Sequence, residues 1–146
     1  MITAERYHDI CMGHRVVGHE SKCKHLHGHN YRIHFVCASS ELDSLGRVID
    51  FSEINSRLCQ WLELHWDHRT LLWSEDPLLP ELQRLVPEDI RVVPFNPTAE
   101  QIAEYLVRVV GPQQLAGTGI ELVSCRVDET RKCSATYVQP PSAPTR

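Results

Sequence analysis

The feature that most constrains this chain is a dense run of histidines near its N-terminus. Six of the nine histidines fall between positions 14 and 34, and the densest run reads Cys-Lys-His-Leu-His-Gly-His over 23–29. In a β-strand, residues two apart lie on one face, so the imidazoles of His27 and His29 can converge on one ion. Gly28 between them lets backbone or a ligand approach closely. A third imidazole would complete an open, catalytic-type zinc site.

The identity of the third ligand stays open at the level of sequence. His14, His19 and His25 are the candidates, and spacing alone does not choose between them. His14 ends a short apolar segment, 10–13, which we interpret as extended and which could lie beside the strand of the His-x-His pair. His25 has the same parity as that pair, so parity does not exclude it.

Cys23 lies four residues before His27, between Lys22 and Lys24. Two cations and a nearby metal would lower the pKa of its thiol and raise the thiolate fraction near neutral pH. The alternative is a buried, unreactive cysteine, but the neighbouring residues are too polar for a core position. We therefore predict a reactive thiol beside the metal.

Cysteine usage and charge limit the compartment and the partners. The six cysteines include no Cys-x-x-Cys pair, and the first residues show no apolar stretch of signal-peptide length. We therefore expect free thiols in a cytoplasmic protein rather than disulfides. A net charge of -4 argues against nucleic-acid binding through phosphate neutralisation. No apolar run approaches the roughly 20 residues that a bilayer span needs, so we expect no membrane partner.

The hydrophobic pattern predicts an α+β domain. Strands are expected at 10–13, 31–38, 90–93, 120–127 and 133–138, the second beginning near His27. Helices are expected after two capping signals, Asp50 and Thr98. We interpret 77–87 as irregular because of its prolines. This order predicts a mainly antiparallel sheet with two helices on one face.

The expected domain covers most of the chain. A chain of 146 residues is long enough for one domain with its own core, and we place it at 1–138. Residues 139–146 contain three prolines, which cannot continue a hydrogen-bonded ladder. We expect this segment to be a disordered tail.

Five further residues in three segments carry polar side chains suited to chemistry. Asp67 precedes His68 after the first helix, where the carboxylate can orient the imidazole; the alternative is a helix-end pair favoured by the dipole. Glu129 ends a predicted strand, and its carboxylate could accept two parallel N–H bonds from a guanine or pterin ring, or be solvated. Thr98 and Glu100 have a structural interpretation as parts of a helix cap.

Five stretches of the chain together resemble one known family. The first is similar to the zinc-binding segment of the 6-pyruvoyltetrahydropterin synthase / 6-carboxytetrahydropterin synthase family, and it runs from Gly13 to Cys23 and on through His27 to Tyr31. The other four match in the family's order, at 46–51, 66–68, 96–101 and 127–130. Each motif is short, but the five in order extend the resemblance over nearly the whole domain.

The resemblance implies a role for each matching position. The implied zinc ligands are His14, His27 and His29. The implied catalytic residues are Cys23, Asp67 and His68. The implied substrate-binding residues are Glu129, which would anchor the pterin ring, and Thr98 and Glu100 near the pterin pocket.

The resemblance also implies a fold and a reaction. The fold is the tunnelling fold, in which the sheets of several subunits join into a barrel with active sites between subunits, typically in a homohexamer. The three-residue gap between Cys23 and His27 resembles the 6-carboxytetrahydropterin synthases of queuosine precursor synthesis. Their reaction converts 7,8-dihydroneopterin triphosphate to 6-carboxy-5,6,7,8-tetrahydropterin, acetaldehyde and triphosphate. The alternatives are a 6-pyruvoyl product, side-chain cleavage, or non-enzymatic binding of zinc and pterin.

Overall fold

A six-stranded sheet carries the histidine cluster. The computed structural model describes residues 1–141, so 142–146 of the expected tail lie outside the described part of the chain. The strands are β1 (Thr3–His14), β2 (His27–Ser39), β3 (Thr70–Trp73), β4 (Ile90–Val93), β5 (Ile120–Asp128) and β6 (Ser134–Val138). Every expected strand is present, and β1 extends well beyond the expected segment 10–13.

The sheet is mixed, which corrects the expectation of an antiparallel sheet. Its strand order is β4-β3-β1-β2-β5-β6. The pairs β1–β2, β2–β5 and β5–β6 are antiparallel, whereas β3 runs parallel to both β1 and β4. The sequence analysis missed β3 because four residues show too little alternation to predict a strand. A helix connects β3 to β4, and such a crossover returns the chain in the same direction.

Within residues 1–141, three α-helical segments accompany the sheet rather than the expected two. They are α1 (51–65), α2 (Leu79–Leu85) and α3 (99–114), and both longer helices contain a π-helical turn. The segment 77–87, expected to be irregular, contains α2. Pro80 lies in the first turn of α2, where a missing N–H costs no intrahelical hydrogen bond.

Both capping predictions are confirmed. The Asp50 carboxylate accepts a hydrogen bond from the N–H of Ser52 at 2.8 Å at the start of α1. The Thr98 hydroxyl accepts one from the N–H of Gln101 at 3.2 Å at the start of α3. These caps satisfy N–H groups that have no partner inside a helix. None of the helices within residues 1–141 has the length and apolar character that crossing a bilayer requires.

The two central strands have one buried face and one open face. Side chains on the buried face alternate along the strands: Ile10, Met12 and His14 on β1, and Tyr31, Ile33 and Phe35 on β2. Apolar residues of α1 and α3 join them in one core, among them Leu58, Leu62, Ile102 and Leu106. The open face carries exposed polar residues, including Asn30 and Arg32. The histidine cluster therefore lies on the helix-covered side of the sheet.

The packing of α3 against β5 depends on Gly111. A Cβ added there would lie 2.8 Å from Cβ and 3.0 Å from Cδ2 of Leu122. We expect Gly111→Ala to lower the free energy of unfolding by about 1–3 kcal/mol, because Leu122 or the helix backbone must shift. Gln113→Ala, at an exposed position of the same helix, should stay within about 0.5 kcal/mol of the wild type. Urea unfolding measures both variants, and a Gly111→Ala variant as stable as Gln113→Ala would contradict the close packing.

Candidate active site

The register of β1 against β2 brings three imidazoles together. His14 lies opposite His27, and Met12 lies opposite His29, so the three histidine side chains project to the same buried face. One nitrogen of each ring lies within 4.8 Å of the others. The Nε2 atoms of His14 and His27 are 3.1 Å apart. Of the three candidates for the third ligand, it is His14 that joins the pair, and His25 is exposed to solvent.

Two of the rings are oriented by backbone carbonyls. The Nδ1 atoms of His14 and His27 lie 2.7 Å from the carbonyl oxygens of Pro97 and His25, respectively. A carbonyl can only accept, so each Nδ1 carries the proton and each Nε2 keeps its lone pair for a metal. This arrangement is the usual way in which proteins fix the tautomer of a metal-binding histidine.

The third ring has an unsatisfied nitrogen. Nε2 of His29 is buried and has no hydrogen-bond partner among residues 1–141. It lies 3.4 Å from Oε1 of Glu129. A cation placed among the three rings would give this nitrogen a partner. The donor set of three imidazoles with an adjacent carboxylate therefore fits a divalent ion such as zinc.

Burial favours the neutral form of two of the three imidazoles. His14 is 1% exposed, and burial lowers its pKa to about 4, with repulsion from His27 adding to the effect and the bond to Pro97 opposing it. Burial also lowers the pKa of His29, against the opposing charge of Glu129. Metals bind neutral imidazole, so the lowered pKa values of His14 and His29 favour the form that binds a metal.

Tyr31 is a neighbour of the cluster that the sequence analysis used only as a strand residue. Its ring packs edge-on against His14 and His29, and its hydroxyl is buried without a hydrogen-bond partner in the described chain. Burial, together with the charges of Glu129 and Cys23, raises the pKa of this phenol. The alternation that puts His27 and His29 on one strand face also puts Tyr31 there. The sequence pattern could therefore have predicted that Tyr31 contacts the cluster.

A small cavity gathers four of the predicted site residues beside the cluster. Cys23 is half-buried in a 3-10 turn, Lys22–Lys24, between β1 and β2. The cavity, about 300 Å³, is lined by Cys23, Thr98, Glu100, Glu129 and also His19 and Cys133. The structure thus brings a thiol, a carboxylate and the start of α3 together. The sequence analysis considered His19 only as a candidate metal ligand and gave no site role to Cys133.

Asp67 and His68 lie elsewhere, at the open face of the sheet. They line a cavity of about 660 Å³ with Cys11, Asn30 and Arg32. Within residues 1–141, the lining of this larger cavity does not include Cys23. A single copy of the chain therefore does not join the pair to the thiol.

The Asp67–His68 pair is nevertheless well ordered for proton transfer. Oδ2 of Asp67 lies 2.9 Å from Nδ1 of His68, and Oδ1 accepts from the N–H of Cys11 at 3.0 Å. Burial pushes the pKa of Asp67 up, but the hydrogen bonds from His68 and Cys11 outweigh it and lower the pKa overall. His68 has a positive φ of 57° and its side chain is 72% exposed. The imidazole is thus held by a carboxylate and presented to solvent.

Fold and site together define the class of protein. A mixed sheet with helices on one face, a three-imidazole centre and a small cavity with a thiol is the architecture of an α+β protein suited to metal-assisted chemistry on a small molecule. The model of the 6-pyruvoyl tetrahydropterin synthase family matches residues 3–140. The chain belongs to this family, so the resemblance inferred from the five motifs is confirmed.

Two named relatives agree with membership of this family. The chain is 33% identical over 134 residues to the 6-carboxy-5,6,7,8-tetrahydropterin synthase of Rickettsia typhi, covering 91% of this chain and 97% of the relative. It is 33% identical over 120 residues to the protein of the same name from Haemophilus influenzae, covering 76% and 84%.

Two solved structures have the same fold. The crystal structure of an uncharacterized protein from Wolinella succinogenes superimposes with a TM-score of 0.81 at 25% identity, covering 95% of this chain and 98% of that one. The 6-pyruvoyl tetrahydropterin synthase of Caenorhabditis elegans gives a TM-score of 0.67 at 20% identity, covering 95% and 96%. The second likeness shows the fold alone.

The buried, neutral His14 predicts acid sensitivity of the metal-free protein. Its pKa is about 4 in the folded chain and 6.5 in its ordinary state, so between these values the unfolded chain binds more protons. The free energy of unfolding therefore falls as the pH drops below 6.5, and about 2 kcal/mol of the loss by pH 5 belongs to His14. Urea unfolding of metal-free protein at pH 7 and pH 5 measures this loss.

Two variants separate His14 from the other histidines. His14→Gln should lose this part of the pH dependence, whereas His25→Gln, which changes an exposed imidazole, should keep it. The same pH dependence in wild type and His14→Gln would show that the buried ring does not control acid stability.

Proposed function

We propose that the chain converts 7,8-dihydroneopterin triphosphate to 6-carboxy-5,6,7,8-tetrahydropterin, with release of acetaldehyde and triphosphate. The observation that carries the proposal is the convergence of three imidazoles beside a cavity lined by Cys23 and Glu129. The names of the Rickettsia and Haemophilus relatives support this product over the 6-pyruvoyl one. The reaction would serve queuosine precursor synthesis in the cytoplasm.

The metal in this proposal is zinc, held by His14, His27 and His29. Bound there, zinc would acidify the adjacent hydroxyls of the substrate side chain and polarise a carbonyl formed from them. The three imidazoles would be neutral ligands, and Glu129, whose carboxylate is 3.4 Å from His29, would place a negative charge close to the ion.

The cavity residues would position the substrate and move its protons. Glu129 can accept two parallel N–H bonds from the edge of the pterin ring, which fixes the ring against the metal centre. Thr98 and Glu100 line the same cavity from the first turn of α3. The thiol of Cys23 would take a proton from the side-chain carbons and return it, because a thiolate is a competent base near neutral pH.

The partner acid and base for Cys23 would come from Asp67 and His68 of a second copy. In one chain this pair lines the open face of the sheet, away from the cavity of Cys23. The exposed imidazole of His68 is presented outward, where a neighbouring copy could use it. We therefore propose a homo-oligomer, a hexamer as in the resemblance, with active sites between subunits.

Removal of the thiol should stop the reaction without removing the metal. We expect Cys23→Ala to lower acetaldehyde release from 7,8-dihydroneopterin triphosphate by at least about 100-fold, the usual range for a lost acid–base group. Zinc content should stay near one ion per chain, because the thiol is not among the three ligands. Atomic absorption and an acetaldehyde assay measure the two quantities, and mass spectrometry identifies the pterin product.

The outcomes distinguish the alternatives. Full turnover by Cys23→Ala, or loss of turnover in Cys133→Ala instead, would show that the proton-transfer role is wrongly assigned to Cys23. A 6-pyruvoyl or hydroxymethyl product would change the reaction but keep the site. A wild type that binds zinc and leaves every pterin unchanged would indicate a binding protein.

Active sites between subunits make a further prediction about mixed oligomers. Cys23→Ala and His68→Ala should each be inactive alone. Mixed during refolding, they should regain about one quarter of wild-type activity, because random assembly gives about that share of interfaces with both intact halves. The control mixes Cys23→Ala with Cys23→Ser, which leaves no intact site. Mixed oligomers without activity, once mixing is verified by mass spectrometry, would mean that each chain uses its own pair.

A further inference from the structure

The turn that carries Cys23 is fastened to the two residues that directly follow His14. The N–H of Val16 donates to the carbonyl of Cys23 at 2.8 Å. Nη1 of Arg15 donates to the carbonyl of Lys24 at 3.1 Å. The end of β1, which provides His14 to the histidine cluster, therefore also holds the carbonyls of Cys23 and Lys24. The position of the thiol is thereby linked to the position of the imidazoles.

The Arg15 side chain is itself held by a buried carboxylate. Nε of Arg15 donates to Oδ2 of Asp76 at 2.7 Å, and the two side chains are 16% and 1% exposed. The other oxygen of Asp76 accepts from the N–H of Leu78 at 2.8 Å, in the turn between β3 and α2. One oxygen of the Asp76 carboxylate is thus held by the backbone, and the other holds the Arg15 guanidinium in place.

A buried ion pair needs an explanation other than stability. Desolvation of two charges offsets much of their attraction, and an apolar pair of similar volume often gives an equally stable protein. The pair instead fixes an orientation. The planar guanidinium can bind a carboxylate and a carbonyl at fixed angles at the same time. No step of the proposed reaction uses Asp76 or Arg15 as an acid, base or ligand.

A second anchor acts on the same loop from the start of α3. The side-chain amide of Asn96 makes two hydrogen bonds with the backbone of Val17, accepting from its N–H and donating to its carbonyl, each at 2.9 Å. The next residue, Pro97, provides the carbonyl that orients His14. The loop after β1 is therefore held at two points, at Val17 by Asn96 and at Arg15 by Asp76.

We propose that Asp76, acting through Arg15, is a positioning residue that sets the Cys23 thiol against the metal centre. The proposal rests on the proposed function, since it gives Cys23 the proton-transfer role. Loss of the Asp76 charge would free the guanidinium and leave the Lys24 carbonyl without its donor. The turn would loosen while His14 and His29 keep their places on β1 and β2. A displacement of about 1 Å at a catalytic group can cost about 100-fold in rate.

Two variants test the pair, with a matched control. Asp76→Asn keeps the shape of the side chain and removes its charge. Arg15→Lys keeps a cation for the buried carboxylate but loses the fork that reaches Lys24, so it reports on positioning even if Asp76→Asn fails to fold. The control is Glu81→Gln, which breaks the Glu81–Arg84 pair at the surface of α2, where the side chains are 71% and 67% exposed.

Three measurements are made on each zinc-loaded protein. Zinc content should match the wild type. The rate of iodoacetamide alkylation at Cys23 should rise about threefold or more over the wild-type rate in the two test variants, because a loosened turn exposes the sulfur. The kcat should fall about 10- to 100-fold with KM changed by less than about threefold, since the ring-binding residues are untouched. Glu81→Gln should match the wild type in all three.

The alkylation rate separates this proposal from the function on which it rests. If the wild type releases no acetaldehyde, the proposed function fails. The alkylation rate of Cys23 still decides whether the Arg15–Asp76 pair positions the thiol. An alkylation rate of Cys23 in Arg15→Lys that equals the wild-type rate or falls below it would overturn the proposal. Loss of zinc in parallel with kcat would also overturn it, because the pair would then support the whole site rather than the thiol.

Discussion

The pairing of β1 with β2 is the constraint on which the site depends. It puts His14 opposite His27 and keeps His29 on the same face. Because side chains alternate along a strand, a slip of one residue would turn the histidines of one strand toward the open face. The register is protected by the apolar residues that share the buried face, such as Ile10 and Ile33. The same alternation therefore builds the core and assembles the three imidazoles.

The segment before α3 shows how few residues can support such a site. Asn96 fastens the loop that follows β1, the carbonyl of Pro97 orients His14, and the hydroxyl of Thr98 caps the helix. Each contact satisfies a buried or terminal polar group that would otherwise be costly. Together with the Arg15–Asp76 pair, these contacts hold His14 and the turn that carries Cys23. The family motif at 96–101 therefore has a structural role as well, because it connects α3 to His14 and to the loop after β1.

The two faces of the sheet divide the predicted catalytic residues. Cys23 and Glu129 line one cavity, and Glu129 lies 3.4 Å from His29 of the cluster, whereas Asp67 and His68 line a second cavity at the open face. Within residues 1–141, neither of these two cavities is lined by both Cys23 and His68. In our proposal, a second copy whose open face meets the first cavity brings the thiol and the Asp67–His68 pair together. Oligomerisation is in our proposal a requirement of the chemistry.

Local pattern was enough to predict much of the fold and part of the site. The His27–His29 spacing, the Thr98 cap and most strands follow from periods of two and from capping chemistry, which act over a few residues. Residue spacing alone did not identify His14 over its rivals, although the family resemblance did. Neither spacing nor resemblance predicted the parallel strand β3, the helix after Pro77 or the buried Arg15–Asp76 pair. These depend on contacts between residues far apart in the chain, which local spacing does not specify. What the sequence determined is the set of reactive groups and the strand face that carries two of them; the tertiary structure decided which groups meet, because strand register and loop anchoring are set only when the whole sheet closes on its core.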